Sequence, residues 1–149
     1  MKIIGVLGDI GSGKSFVSKK FNCPVFNADE EVSKLYNKSY SCFKKLKKEF
    51  PKNIKKFPTD KKELIKILVK NKSNLKKIIK IIHPLVRIKM NKFLKKNSKK
   101  KLVVLDIPLL VENKLYKKNY ILLYIQADTK EIQSRLKKRK NFNKKIYKD

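Results

Sequence analysis

"GDIGSGKS", Gly8 to Ser15, follows the apolar run Lys2-Ile3-Ile4-Gly5-Val6-Leu7, and its reading decides the fold. Three of the chain's four glycines lie within it. The spacing Gly8-x-x-x-x-Gly13-Lys14-Ser15 is that of a phosphate-cradling loop. Such a loop turns backbone N–H groups toward phosphate oxygens, which needs positive φ and no Cβ in the way. A helix that starts where the loop ends presents its N-terminus to the same anion. In this pattern Lys14 reaches the β- and γ-phosphates of a nucleoside triphosphate, and Ser15 offers its hydroxyl to Mg²⁺.

Outward from the loop, the bulk composition sets limits. A chain of 149 residues is one domain's worth, and a hydrophobic fraction of 41% excludes wholesale disorder. Lys and Arg number 41 against 12 Asp and Glu, a net charge of +29 that would attract any polyanion. Yet only three of those cations are arginines, and the lysines are scattered on nearly every segment beside abundant Asn and Ile. That is what an AT-rich coding sequence produces, so a dedicated nucleic-acid surface is not expected. Cys23 and Cys42 form no C-x-x-C pair and have no histidine cluster near them, as in a reduced, cytoplasmic protein. No apolar run approaches the ~18 residues of a membrane span, and the first residues form a strand pattern rather than a signal peptide.

Lys2–Leu7 and Lys101–Ile107 read as buried strands, Pro24–Phe26 as a brief strand and Tyr120–Ile125 as a fourth. A helix is predicted from Lys14 to Phe21, with Phe16, Val17 and Phe21 on one side. From Glu30 to about Asn97 the pattern is helical, with Thr59 or Asp60 capping "KKELIKILVK" and Pro84 kinking or breaking a helix at His83. A last helix covers Thr129 to about Lys140. Strands alternating with helices imply an α/β fold with a parallel sheet. The core is placed in 1–32 and 98–128, a helical substrate region in 33–97, and a helix and tail in 129–149.

Asp29 ends the second strand at the edge that faces the ligand crevice in open α/β sheets. Its carboxylate suits either a general base for an acceptor hydroxyl or the N-cap of "DEEVSKLY". Arg87, Arg135 and Arg139 survive in a chain that elsewhere uses Lys; for Arg135 and Arg139 this points to a need for the planar fork that grips phosphate, while for Arg87 that need and mere chance stay equally open. Arg135 and Arg139, spaced i, i+4, share a helix face. His83, at an expected helix break, reads as structural or capping.

Five segments together resemble the dephospho-CoA kinase family: "IIGVLGDIGSGKS" at 3–15, "VFNADEEV" at 25–32, "IIHPLVR" at 81–87, "LDIPLLVENKLYKK" at 105–118 and "IQSRLKKR" at 132–139. The family is similar in fold to nucleoside monophosphate kinases, so the resemblance implies a P-loop kinase-type parallel sheet, a helical substrate-binding insertion and a lid. It implies ATP and Mg²⁺, with the γ-phosphate passed to the ribose 3′-hydroxyl of dephospho-CoA. Residue by residue, Gly8, Asp9, Ile10, Gly11, Ser12, Gly13, Lys14, Ser15 and Phe16 would hold ATP, with Ser15 at the metal. Asp29 corresponds to the base, with Lys14, Arg135 and Arg139 as catalytic cations; His83, Pro84, Leu109 and Glu112 shape the acceptor side. Asp9, Phe16, Asn27 and Lys140 depart from the usual pattern. Family members continue into a further strand and helix, so this chain is expected to lack that segment. The rival readings are a kinase of another nucleotide or small alcohol, or a non-catalytic remnant that binds ATP or nucleic acid.

Overall fold

A computed structural model describes residues 1–71, 73–107 and 119–137. Four strands form one sheet: β1 (Lys2–Leu7), β2 (Val25–Asn27), β3 (Leu102–Asp106) and β4 (Ile121–Tyr124), in the order β2-β3-β1-β4. β1 pairs in parallel with β3 and with β4. The apolar runs form strands because a central parallel strand is covered on both faces, and Ile3, Ile4 and Val6 are all buried. Ile4, Val6 and Val104 make a cluster against which Phe21, Cys23, Val25, Leu102, Leu123 and Ile125 pack. The register sets Val6 opposite Asp106 and Leu7 opposite Tyr124, so the loop after β1 leaves from the carboxyl edge of three neighbouring strands.

Helix α1 (Lys14–Lys20) follows that loop. Of the three apolar side chains expected on one side of it, Val17 and Phe21 are half-buried but Phe16 is not. Phe16 is 68% exposed with the Lys20 ammonium 5.2 Å from its ring centre, while Ser18 is fully buried. Ser18 can go inside because its hydroxyl donates to the Lys14 carbonyl at 2.8 Å, which removes the cost of burying it.

The chain divides into two compact units, one of the described residues in Met1–Val25 and Lys100–Asp149, the other Phe26–Lys99. The second contains α2 (Ala28–Lys38), α3 (Tyr40–Glu49), α4 (Lys61–Lys70) and α5 (Ser73–Lys96). Helix α5 is its spine, packing α2, α3 and α4 through buried Ile78, Ile82, Val86 and Met90. Pro84 lies inside α5, and the helix runs through it without the expected break. A mid-helix proline costs about 3 kcal/mol, whereas each buried aliphatic side chain returns roughly 1.5–3 kcal/mol. Two such side chains on each flank of Pro84 outweigh the lost hydrogen bond. Asp60 caps α4, accepting from the Lys62 N–H at 2.8 Å, as one of the two expected caps.

Candidate active site

The loop closes on itself before it closes on anything else. Gly8 has φ +141°, and a Cβ there would stand 2.3 Å from the Ile125 carbonyl oxygen and 2.8 Å from Ser12 Oγ. The loop therefore passes directly beneath the end of β4, whose next residue, Ile125, donates its N–H to the Leu7 carbonyl at 2.8 Å. Only glycine fits. The Ser12 N–H then turns back to the Asp9 carbonyl at 3.1 Å, and Gly13 caps α1 at φ 100° with no side-chain cap.

The Lys14 ammonium is drawn back over this turn. It donates to the Gly8 and Asp9 carbonyls at 2.7 Å each, which places a positive charge above the loop. Ser15, one position on, reaches the other way. Its hydroxyl donates to Asp106 Oδ2 at 2.6 Å, a short charge-assisted bond, and Asp106 is buried. Asp106 was not among the expected site residues. The signal that could have found it is the run "LVVLD", a buried strand ending in a carboxylate at the sheet edge that carries the loop.

Arg135 lies on α6 (Thr129–Lys137), and its Nη1 donates to the Gly11 and Ser12 carbonyls at 3.3 and 3.2 Å. Its Nη2 donates to Glu131 Oε2 at 2.9 Å. Lys14 and Arg135 thus both donate to carbonyls of the one loop, and Ser15, at its end, turns to Asp106. Ile10 is 55% exposed, and Asp9 is exposed too. Arg139, Leu109, Glu112 and Lys140 lie outside the described residues.

In the other unit, Asn27 caps α2, its side-chain oxygen accepting from the Glu30 N–H at 3.0 Å. The alternative of Asp29 as that cap is thereby corrected. The helix starts at Ala28, one residue before Asp29, which stands exposed in the first turn. His83 and Pro84 line a groove of about 390 Å³ on α5 with Arg87, Ile88 and Asn91. Burial, and then the Arg87 guanidinium beside it, hold His83 below the usual histidine range.

A sequence profile described as dephospho-CoA kinase matches residues 2–149. This chain belongs to the dephospho-CoA kinase family. A dephospho-CoA kinase of Bartonella henselae is 38% identical over 152 residues, covering 99% of this chain and 77% of the relative. One from Wolbachia pipientis wMel is 33% identical over 142 residues, covering 92% and 73%. The crystal structure of TT1252 from Thermus thermophilus superposes with a TM-score of 0.74 at 27% identity, covering 97% of this chain and 75% of that one. The membership of the dephospho-CoA kinase family agrees with the parallel α/β sheet and with the loop at its carboxyl edge.

The residues present fit a nucleoside triphosphate. Ser12 Oγ is buried in the loop with no hydrogen-bond partner among the described residues, as a hydroxyl would be whose partner is a bound anion. Ser15 and Asp106 supply the hard oxygens that suit Mg²⁺, an ion usually held by one or two protein ligands plus phosphates. Among the described residues, no helix is long and apolar enough to cross a membrane.

Proposed function

We infer that this chain is an ATP-dependent kinase that phosphorylates the ribose 3′-hydroxyl of dephospho-CoA to give coenzyme A. The observation that carries the reading is the convergence of Lys14, Ser15 and buried Asp106 on the glycine-bound loop, in a chain of the dephospho-CoA kinase family. Transfer forms a bond from the acceptor oxygen to the γ-phosphorus and breaks the bond from phosphorus to the bridging oxygen, leaving ADP. Positioning and charge stabilisation are what this chemistry asks of the protein. Ser15, with Asp106 behind it, would hold Mg²⁺, which would supply charge neutralisation to the bound phosphates. Lys14 and Arg135, joined by Arg139, meet the remaining phosphate charge.

Asp29 is the base that accepts the 3′-hydroxyl proton. It stands exposed in the first turn of α2, at the position that corresponds to the family's base. His83, Pro84, Leu109 and Glu112 shape the acceptor side. The unbridged Cys23 and Cys42 suit a reducing, cytoplasmic setting, and no nucleic-acid partner is assigned.

The test is ADP release on mixing the chain with MgATP and dephospho-CoA, with the 3′-phosphorylated product identified by mass. Product should form with dephospho-CoA and not with other nucleosides or small alcohols. ATP binding without acceptor-dependent ADP release would overturn the kinase reading.

A further inference from the structure

Helix α6 does more at the loop than carry a phosphate-gripping arginine. A Cβ at Gly11 would stand 3.3 Å from Ile132 Cγ2 and 3.4 Å from Leu136 Cγ, so α6 is seated directly on the loop backbone. Arg135 lies in the same contact, 3.5 Å from where a Cβ of Gly13 would be. Its guanidinium is split between two duties, Nη1 on the Gly11 and Ser12 carbonyls and Nη2 on Glu131.

Peptide planarity gives that arrangement a consequence. In a trans peptide unit the C=O and the following N–H point in opposite directions. Holding the Gly11 and Ser12 carbonyls toward α6 turns the N–H groups of Ser12 and Gly13 away from it. One of these, from Ser12, closes the turn onto Asp9. The other belongs to the amide row that a phosphate loop presents to its anion.

The geometry points to Glu131 as a positioning residue: through its ion pair it aims the Arg135 fork at the Gly11 and Ser12 carbonyls, and so sets the phosphate loop in its anion-binding form. This rests on the loop being a nucleotide site, but not on the acceptor or on turnover. It makes Glu131, an acid beside a site for a polyanion, a contributor to affinity.

That sign separates the proposal from a plain field effect. Removing a carboxylate near an anion site raises anion affinity if only its charge matters. Glu131→Ala and Glu131→Gln remove the same charge, but Gln keeps a hydrogen-bond acceptor for Arg135. We expect ATP affinity, measured by calorimetry on the full chain, to fall about twofold in Glu131→Ala, the size of an exposed i, i+4 pair. Glu131→Gln should recover part of that loss. In an Arg135→Ala background, Glu131→Ala should cost nothing further, as a coupled pair requires. Hydrogen exchange on the ligand-free protein gives a readout independent of ATP. The Ser12 and Gly13 amides should exchange faster in Glu131→Ala, and faster still, by about tenfold, when Arg135→Ala removes both carbonyl contacts. Equal or tighter ATP binding in both Glu131 variants, with unchanged exchange at Ser12 and Gly13, would overturn the proposal. If the wild-type chain binds no ATP, the nucleotide reading fails, and the exchange arm alone decides whether Glu131 braces the loop.

Discussion

The hydroxyl of Ser15 and the carboxylate of Asp106 meet at 2.6 Å although 91 positions separate them in the chain. The parallel register of β1 with β3 makes the meeting possible. It sets Asp106 beside Val6, two residues before the loop that leads to Ser15. For Asp106→Asn we predict that the magnesium concentration giving half-maximal turnover rises about 10–100-fold, as when an outer-shell partner is lost. Asn can still accept from Ser15, so circular dichroism should be unchanged. The same magnesium dependence as the wild type would remove Asp106 from the metal site.

Lys14→Ala deletes the ammonium that now spans the Gly8 and Asp9 carbonyls. Those carbonyls can turn to water, so the fold should persist. Hydrogen bonds to charged groups contribute about 1.5–3 kcal/mol, and ATP affinity should therefore fall roughly 10–100-fold. Calorimetry is the check, and undiminished binding would reject the loop as the phosphate site.

Asp29→Asn should leave the melting temperature almost unchanged, because the capping oxygen belongs to Asn27. Turnover should drop by ~10²–10⁴ if the carboxylate is the base, with ATP affinity preserved. Asn27→Asp keeps a good cap and should stay within a few-fold in rate. Asn27→Ala should instead cost about 0.5–2 kcal/mol of stability. Full kcat in Asp29→Asn would assign the proton to another acceptor.

His83 carries a pH signature. Burial and Arg87 lower its pKa in the folded state, so below the unfolded value of about 6.5 the unfolded chain binds more protons there. Its contribution to stability is unpenalised above that pH and declines as pH falls through it. His83→Gln should flatten the loss of melting temperature between about pH 7 and 5, a window set by the unfolded value. Parallel pH profiles for the two proteins would show that His83 does not titrate on unfolding.

The sheet was legible because its strands are short apolar runs, and the loop because glycine is concentrated in it. Asp106 stayed hidden for a different reason. A carboxylate at the end of "LVVLD" gains its meaning only from register with β1, which is a long-range property. Pro84 does not break its helix because a local rule about backbone hydrogen bonds is outweighed by the packing of Ile78, Ile82, Val86 and Met90 on both sides of it. Phe16 misled because apolarity alone does not give direction, and Ser18 could be buried by bonding within its own helix. At α2, Asn and Asp cap about equally well, so residues 27 and 29 could not be ranked until the helix start was known.

Among the described residues, β4 is an outer strand of the sheet, with Ile121 51%, Leu122 42% and Tyr124 60% exposed. An open strand edge with apolar side chains is a template for pairing between copies. What opposes pairing is the charge of +29 that every copy carries. The Debye length shrinks from about 10 Å at 0.1 M salt to about 3 Å at 1 M. Colloidal stability should thus run opposite to the usual salting-in of a protein: dispersed at low ionic strength, self-associating as salt is raised. Light scattering across a salt series would register the crossover, and a lysine at Leu122 should push it to higher salt.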